Sequence, residues 1–260
     1  MKHLIIGAGT VGMATGIWLE ANKEEVFFFD ADKTVNANLR KLGHKIEDTP
    51  YLSEYDMYWI CTHEKNVEEV LKHFTENTSL STLITRRIVI RSSMPPGETK
   101  KLCSSYNVVH YAHFPEFLRE KTAIEDVFSP DRIIIGTYSN SMFKNIASLF
   151  FIPGVPIIQV SPLESELIKL ISNNWLSTQI SFWNEIHMLL KKNELNAQKI
   201  VNAVTLDKRI SKYGTRMTGN PFEGMCLPKD LNTLLKYFEE CGLKATVLES
   251  IKRRNENEKE

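Results

Sequence analysis

Apolar and polar positions follow one rhythm up to about residue 160 and another after it. Short apolar runs bounded by polar or turn residues read as buried strands at 3–6, 26–30, 57–61, 87–91, 108–110, 133–135 and 157–160. Helical periods lie between them, one through Ala14, Ile17 and Trp18 and another over 66–74. Strands alternating with helices predict an α/β fold, a Rossmann-type doubly wound, mainly parallel sheet over residues 1–160. From Leu163 to Lys191 there is neither Gly nor Pro, and apolar residues recur at Leu167, Leu170, Ile171, Trp175, Ile180, Trp183 and Ile186. That pattern predicts one long helix, far beyond the usual ~11–12 residues. Further helices are expected over 196–206, 228–238 and 244–253, with a glycine-containing loop at 214–224. Residues 161–260 therefore read as an all-α second domain. Its long helix spreads apolar side chains, Trp175, Phe182 and Trp183 among them, over more than one face, which predicts a homodimer through that helix.

Charge and cysteine usage narrow the classes. The 260 residues carry 32 Lys+Arg against 32 Asp+Glu, without the cationic surplus that a nucleic-acid partner requires. Cys61, Cys103, Cys226 and Cys241 form no CxxC pair and no zinc spacing, so neither a disulfide framework nor a metal site is expected. A reducing, cytoplasmic setting fits. Residues 4–19 are almost wholly apolar, yet they contain Gly7, Gly9, Gly12 and Gly16 and end before Glu20 without a cleavage pattern. They are also shorter than the roughly 20 residues of a membrane span, so neither a signal peptide nor a membrane segment is expected.

Those glycines carry chemistry instead. Gly7-Ala8-Gly9-Thr10-Val11-Gly12 matches GxGxxG directly after a strand and at the opening of a helix. The first glycine suits a tight turn, the second a close approach of backbone to a pyrophosphate, the third helix–strand packing. Asp30 ends the second strand, where a carboxylate can bond a ribose hydroxyl and would repel the extra phosphate of NADP. NAD is the expected cofactor, held by Gly7, Gly9, Thr10, Val11, Gly12 and Asp30.

Three further segments stand out: 113–120 (HFPEFLRE), 164–174 (ESELIKLISNN) and 222–230 (FEGMCLPKD). Singly each has a bland reading: Lys169 and Asn173 as a solvated helix stripe, Cys226 as a small core residue, Glu116 and Glu120 as surface charges. Together with SSMPPGET (92–99) and PDRIIIG (130–136), their order and spacing resemble the UDP-glucose/GDP-mannose dehydrogenase family along nearly the whole chain. The resemblance implies NAD-dependent, two-step oxidation of a sugar C6 alcohol to a carboxylate, the substrate being a nucleotide sugar or a smaller sugar derivative. It implies Cys226 as the nucleophile that forms a thiohemiacetal and then a thioester. By the same resemblance Lys169 and Asn173 stabilise an oxyanion, Asp230 orients water, Glu120 acts as base beside the cofactor, and Ser93 keeps the hydroxyl of the family's threonine. Glu116, Phe117, Leu118, Lys169, Asn173, Arg209, Phe222 and Gly224 match substrate-holding positions, Arg209 one that is lent across a dimer.

The chain departs from the family in places. Glu223-Gly224 replaces a Gly-Gly pair, Ser211 replaces a glycine, and Cys61-Thr62-His63-Glu64 replaces a proline-containing turn. His63 and His113 read as local polar residues. The family's C-terminal nucleotide-binding domain is expected to be absent, because the last helix is where it would join. Two other readings stay open: a β-hydroxyacid-dehydrogenase-like enzyme making a single hydride transfer, and an NAD-binding or regulatory protein with little activity.

Overall fold

The computed structural model describes residues 1–50, 54–215, 220–224 and 226–257. It divides into two units, Met1–Lys169 and Leu170–Glu260. The first contains a sheet of β1 (Lys2–Ile6), β2 (Glu25–Phe29), β3 (Lys45–Ile46), β4 (Met57–Ile60), β5 (Arg87–Ile90), β6 (His110–His113), β7 (Ile133–Gly136) and β8 (Ile157–Val160). Their order is β3-β2-β1-β4-β5-β6-β7-β8, every pairing parallel except β6 with β7. The chain reverses direction across the sheet between β1 and β4, which opens a crevice at the carboxyl ends of those strands.

Side-chain alternation along the strands feeds two cores. Ile5, Trp59 and Val89 face one, joined by residues of α1 (Thr10–Ala21), α2 (Lys33–Lys41), α6 (Ala123–Phe128) and α7 (Asn140–Leu149). Leu4, Ile6, Tyr58, Ile60, Ile88 and Ile90 face the other, with α3 (Glu64–Asn77), α4 (Leu80–Leu83) and α5 (Glu98–Ser105). Each large side chain buried this way contributes ~1.5–3 kcal/mol. The sheet is thus doubly wound and mainly parallel, as the pattern predicts.

Two strands of the sheet differ from the sequence reading. The strand expected at 108–110 lies at His110–His113, because Val108 still donates its N–H to the Cys103 carbonyl in the turn after α5. The two-residue β3 is too short to leave a period in the sequence.

The long helix α8 runs Pro162–Lys192, one residue beyond the expected span at each end, and the division between units falls inside it. A capping box starts it. Ser161 Oγ accepts the N–H of Glu164 at 3.3 Å, and the Glu164 carboxylate accepts the N–H of Ser161 at 2.7 Å. The second unit adds α9 (Ala197–Val204), α10 (Cys226–Glu240) and α11 (Thr246–Asn257), with no strand among its described residues. Ile180, Phe222, Leu231 and Ile251 form its core. The helix expected from Pro228 begins two residues earlier, at Cys226. A proline is tolerated there, since first-turn N–H groups have no partner within the helix. No helix among the described residues is long and apolar enough to cross a membrane.

His113 fastens the first turn of α8 to the sheet. Its ring is fully buried, with Nε2 donating to the Ser92 carbonyl at 3.1 Å and Nδ1 accepting from Ser165 Oγ at 2.7 Å. Burial pushes its pKa down from 6.5 to about 4. Between those values the unfolded chain binds the proton and the folded chain does not, so stability falls as pH drops. Wild-type protein is expected to lose about 2 kcal/mol more than a His113→Gln variant between pH 6.5 and 5, measured by denaturant unfolding.

Candidate active site

After β1 the chain turns at Gly7, where φ is +92° and a Cβ would stand 2.9 Å from Thr62 N. Gly12 lies in the first turn of α1, and a Cβ there would sit 1.9 Å from the Gly7 carbonyl oxygen. The helix therefore approaches the loop only with glycine at this position. Around Gly9 the space is open, with nothing within 4 Å of a built Cβ. Gly9 caps α1 and offers no side-chain acceptor to the first-turn N–H groups at Thr10, Val11 and Gly12. Free donors at a helix N-terminus beside open space suit a phosphate.

Asp30 stands at the same end of the sheet. Its carboxylate accepts the N–H of Ala8 at 2.8 Å and of Asp32 at 2.9 Å. Asn36 on α2 fixes its backbone from both sides, accepting the Asp30 N–H at 2.9 Å and donating to its carbonyl at 2.7 Å. The glycine loop and this carboxylate together fit a dinucleotide with a free ribose hydroxyl.

The 92–97 loop follows β5. Ser92 Oγ donates to the Thr62 carbonyl at 2.6 Å, and Ser93 is half-buried beside it. The loop ends at Gly97, where α5 begins, and Glu166 of α8 caps that helix. Its carboxylate accepts the N–H groups of Gly97 at 2.6 Å and Thr99 at 2.9 Å. Burial raises the Glu166 pKa, and these bonds act against the rise. Next to it on α8, the buried Lys169 bonds Glu116 Oε1 through Nζ at 2.8 Å, the Glu116 side chain being largely buried too. The other Glu116 oxygen accepts the Leu118 N–H at 2.6 Å. Arg132 and Lys169 lie over the Phe117 ring, at 4.3 and 5.4 Å from its centroid. Arg91 is buried near Glu116 with its guanidinium 4.2 Å from the Phe114 centroid, and burial lowers its pKa. Glu120 opens a 3-10 turn, Glu120–Thr122; its side chain lies outside the described residues.

In the second unit Cys226 is exposed in the first turn of α10. One turn on, Asp230 is buried, and Asn173 Nδ2 donates to its Oδ2 at 2.6 Å. Lys229 Nζ is 3.2 Å from Oδ1, and Asn174 Nδ2 donates to the Asp230 carbonyl at 3.2 Å. Lys169 and Asn173 occupy successive turns of α8, so one element carries both. Phe222 faces the core of this unit, 1% exposed, and both its backbone groups are bonded by Asn255. Its side chain is therefore turned away from solvent. Gly224 has φ +84° with open space around it. Arg209 is exposed and paired with Asp207 at 2.6 Å. Of the 214–224 loop, residues 216–219 lie outside the described residues, as does Met225 of the cysteine motif. His63 caps α3 and pairs with Glu64 at 3.1 Å. Among the described residues no cluster of His, Cys, Asp or Glu could hold a metal ion.

Residues 163–257 match the sequence model of the UDP-glucose/GDP-mannose dehydrogenase family, central domain, and 49–152 match its NAD binding domain. A UDP-glucose 6-dehydrogenase of Campylobacter jejuni is 30% identical over 92% of this chain and 68% of its own length. The chain belongs to the UDP-glucose/GDP-mannose dehydrogenase family. A UDP-glucose 6-dehydrogenase of Streptococcus pneumoniae is 32% identical over 98% of this chain and 74% of its own. Among solved structures, a UDP-glucose dehydrogenase from Pyrobaculum islandicum superposes with a TM-score of 0.88 at 25% identity, over 99% of this chain and 68% of that one. The family's NAD-binding match begins after the glycine loop, but the Streptococcus alignment spans almost the whole chain.

Sequence reasoning passed over Arg91, Glu166, Asn184 and Asn255. Glu166 had a signal, since it precedes Lys169 by three residues and shares its helix face. The two asparagines had none, because their partners are backbone groups remote in sequence.

The four thiols of this family member differ in surroundings. Burial pushes Cys61 and Cys103 up to about 12. Cys226 and Cys241 are both exposed, but Cys226 opens α10 whereas Cys241 follows its last turn. A helix N-terminus favours thiolate and a C-terminus opposes it. Iodoacetamide at pH 7 is expected to modify Cys226 roughly tenfold faster than Cys241. Cys61 and Cys103 should react only after denaturation, as peptide mass spectrometry would read.

Proposed function

We propose that this chain oxidises the C6 hydroxyl of a nucleotide sugar of the UDP-glucose kind to a carboxylate, with NAD as electron acceptor. The observation that carries the reading is Cys226 at the start of α10, one turn before a buried Asp230 held by Asn173, in a chain of this family. NAD supplies the chemistry of electron uptake, two molecules taking the four electrons that separate alcohol from carboxylate. Gly7, Gly9, Thr10, Val11, Gly12, Asp30 and Glu120 are the residues assigned to hold it.

The sulfur of Cys226 adds to the C6 aldehyde carbon and gives a thiohemiacetal. Loss of a second electron pair leaves a thioester, and water then releases the carboxylate and returns the thiol. Oxygen charge develops at addition and again at hydrolysis. Lys169 Nζ and Asn173 Nδ2 are assigned to stabilise it. Each already bonds a carboxylate, Glu116 and Asp230 respectively. An ammonium has three protons and an amide two, so each donor can keep that carboxylate and still serve an oxyanion. Asp230 orients the water, Glu120 removes its proton, and Ser93 contributes its hydroxyl. Glu116, Phe117, Leu118, Phe222 and Gly224 are assigned to the sugar nucleotide, and Arg209 to the substrate of a second copy.

A homodimer belongs to the same reading. Ile171, Trp175, Phe182 and Leu189 of α8 are exposed at spacings of one or two helical turns and form an apolar stripe. The free thiols of half-buried Cys61 and buried Cys103 suit a reducing cytoplasm.

Two molecules of NADH per UDP-glucuronate are expected from UDP-glucose, with turnover in Cys226→Ser reduced at least about a thousandfold. One NADH per product, or a fully active Cys226→Ser protein, would favour the single-transfer alternative. By light scattering the wild-type chain is expected as a dimer and Trp175→Glu as a monomer. A wild-type monomer at micromolar concentration overturns the dimer.

A further inference from the structure

In the loop before Cys226, both backbone groups of one residue are held by a side chain from far along the sequence. Asn255, near the end of α11, is 5% exposed. Its Oδ1 accepts the N–H of Phe222 at 2.8 Å, and its Nδ2 donates to the carbonyl of the same residue at 3.1 Å. One amide thus satisfies both backbone groups of a single residue, as a neighbouring strand would. The second unit has no strand among its described residues, so α11 supplies what a sheet would otherwise provide.

Phe222 is also anchored through its ring, which packs with Ile180, Leu231 and Ile251 from α8, α10 and α11. Two residues earlier, the Asn220 carbonyl accepts from Asn184 Nδ2 at 2.5 Å. The chain therefore leaves Phe222 with its position and both peptide planes set. Gly224, at positive φ, redirects it two residues later, and Cys226 opens α10. Asn36 on α2 holds the backbone of Asp30 by the same reciprocal pair of bonds. In each unit, then, an amide clamps the residue or the loop that the proposed chemistry uses.

We infer that Asn255 is a positioning residue for the nucleophile: by fixing Phe222 it holds Cys226 in register with the N-terminus of α10. This rests on the reading of Cys226 as the nucleophile. Without the clamp, a buried N–H and C=O would seek other partners and the loop would shift. The thiol would then lose its fixed place against the first-turn N–H groups that favour its charged form.

The test is alkylation of the intact chain by iodoacetamide from pH 5 to 9.5, with each cysteine followed by peptide mass spectrometry. Cys241 is the exposed reference, and Cys61 and Cys103 report the fold. In wild type, the Cys226 midpoint should lie below that of Cys241. In Asn255→Leu, which keeps the volume but not the bonds, it should rise toward that of Cys241, and the rate at pH 7 should fall about three- to tenfold. Cys61 and Cys103 should stay unmodified. Turnover should fall while KM for NAD stays the same, since the glycine loop belongs to the other unit. If the buried thiols react, the milder Asn255→Asp, which keeps the acceptor for the Phe222 N–H, replaces it under the same criteria. An unchanged Cys226 profile in a variant with protected buried thiols overturns the inference, as does a wild-type Cys226 indistinguishable from Cys241. Alkylation needs no turnover, so absence of dehydrogenase activity would count against the proposed function and leave this result to be judged separately.

Discussion

A polar group taken out of water must find a partner at fixed distance, and α8 is built around that constraint. Ser165, Glu166, Lys169, Asn173, Asn174 and Asn184 are all buried on this helix. In the first unit Ser165 meets His113, Glu166 caps α5, and Lys169 meets Glu116. In the second, Asn173 and Asn174 meet Asp230, and Asn184 meets the carbonyl of Asn220. Apolar contacts tolerate small slips, whereas a buried ion pair or amide bond lost on one side leaves its partner unsatisfied, which costs on the order of 1–3 kcal/mol or more. Within each unit, the partners of α8 are thereby held to a narrow geometry. Groups assigned to the chemistry are among them.

The same rule separates anchoring from reacting groups. His113 is buried and doubly bonded, with its pKa driven to about 4, so at neutral pH it carries no charge and has no lone pair left to offer. Cys61 and Cys103 are likewise silenced by burial. Cys226 is exposed at the end of a helix where the backbone dipole favours an anion. Chemical type alone would make the three cysteines equivalent. Their surroundings do not.

Much of the architecture was legible in the residues. Short continuous apolar runs at β1, β4 and β5, the GxGxxG turn and the Gly- and Pro-free stretch of α8 each use a local rule that operates within a few residues. What escaped has a physical cause in each case. β3 is two residues long, and β6 is displaced because the turn after α5 takes up Val108 before the strand can start. The apolar pattern of α8 showed a helix but not its orientation: Leu170, Ile180 and Trp183 are buried, whereas Ile171 and Trp175 are not. The core position of the Phe222 ring, among Ile180, Leu231 and Ile251, left no local signal either.

The sequence by itself determined the secondary structure of the strongest segments, the glycine loop and the acidic residue at the end of β2. All of these depend on residue type and on spacings of a few positions. The tertiary structure alone decided which of four thiols is exposed at a helix start, which carboxylate meets Lys169, and that Asn36 and Asn255 clamp backbone elsewhere. Those outcomes depend on pairs such as 116 with 169 and 222 with 255. Nothing local in a chain encodes a bond between an amide and a distant peptide group, because every residue except proline presents the same backbone donor and acceptor.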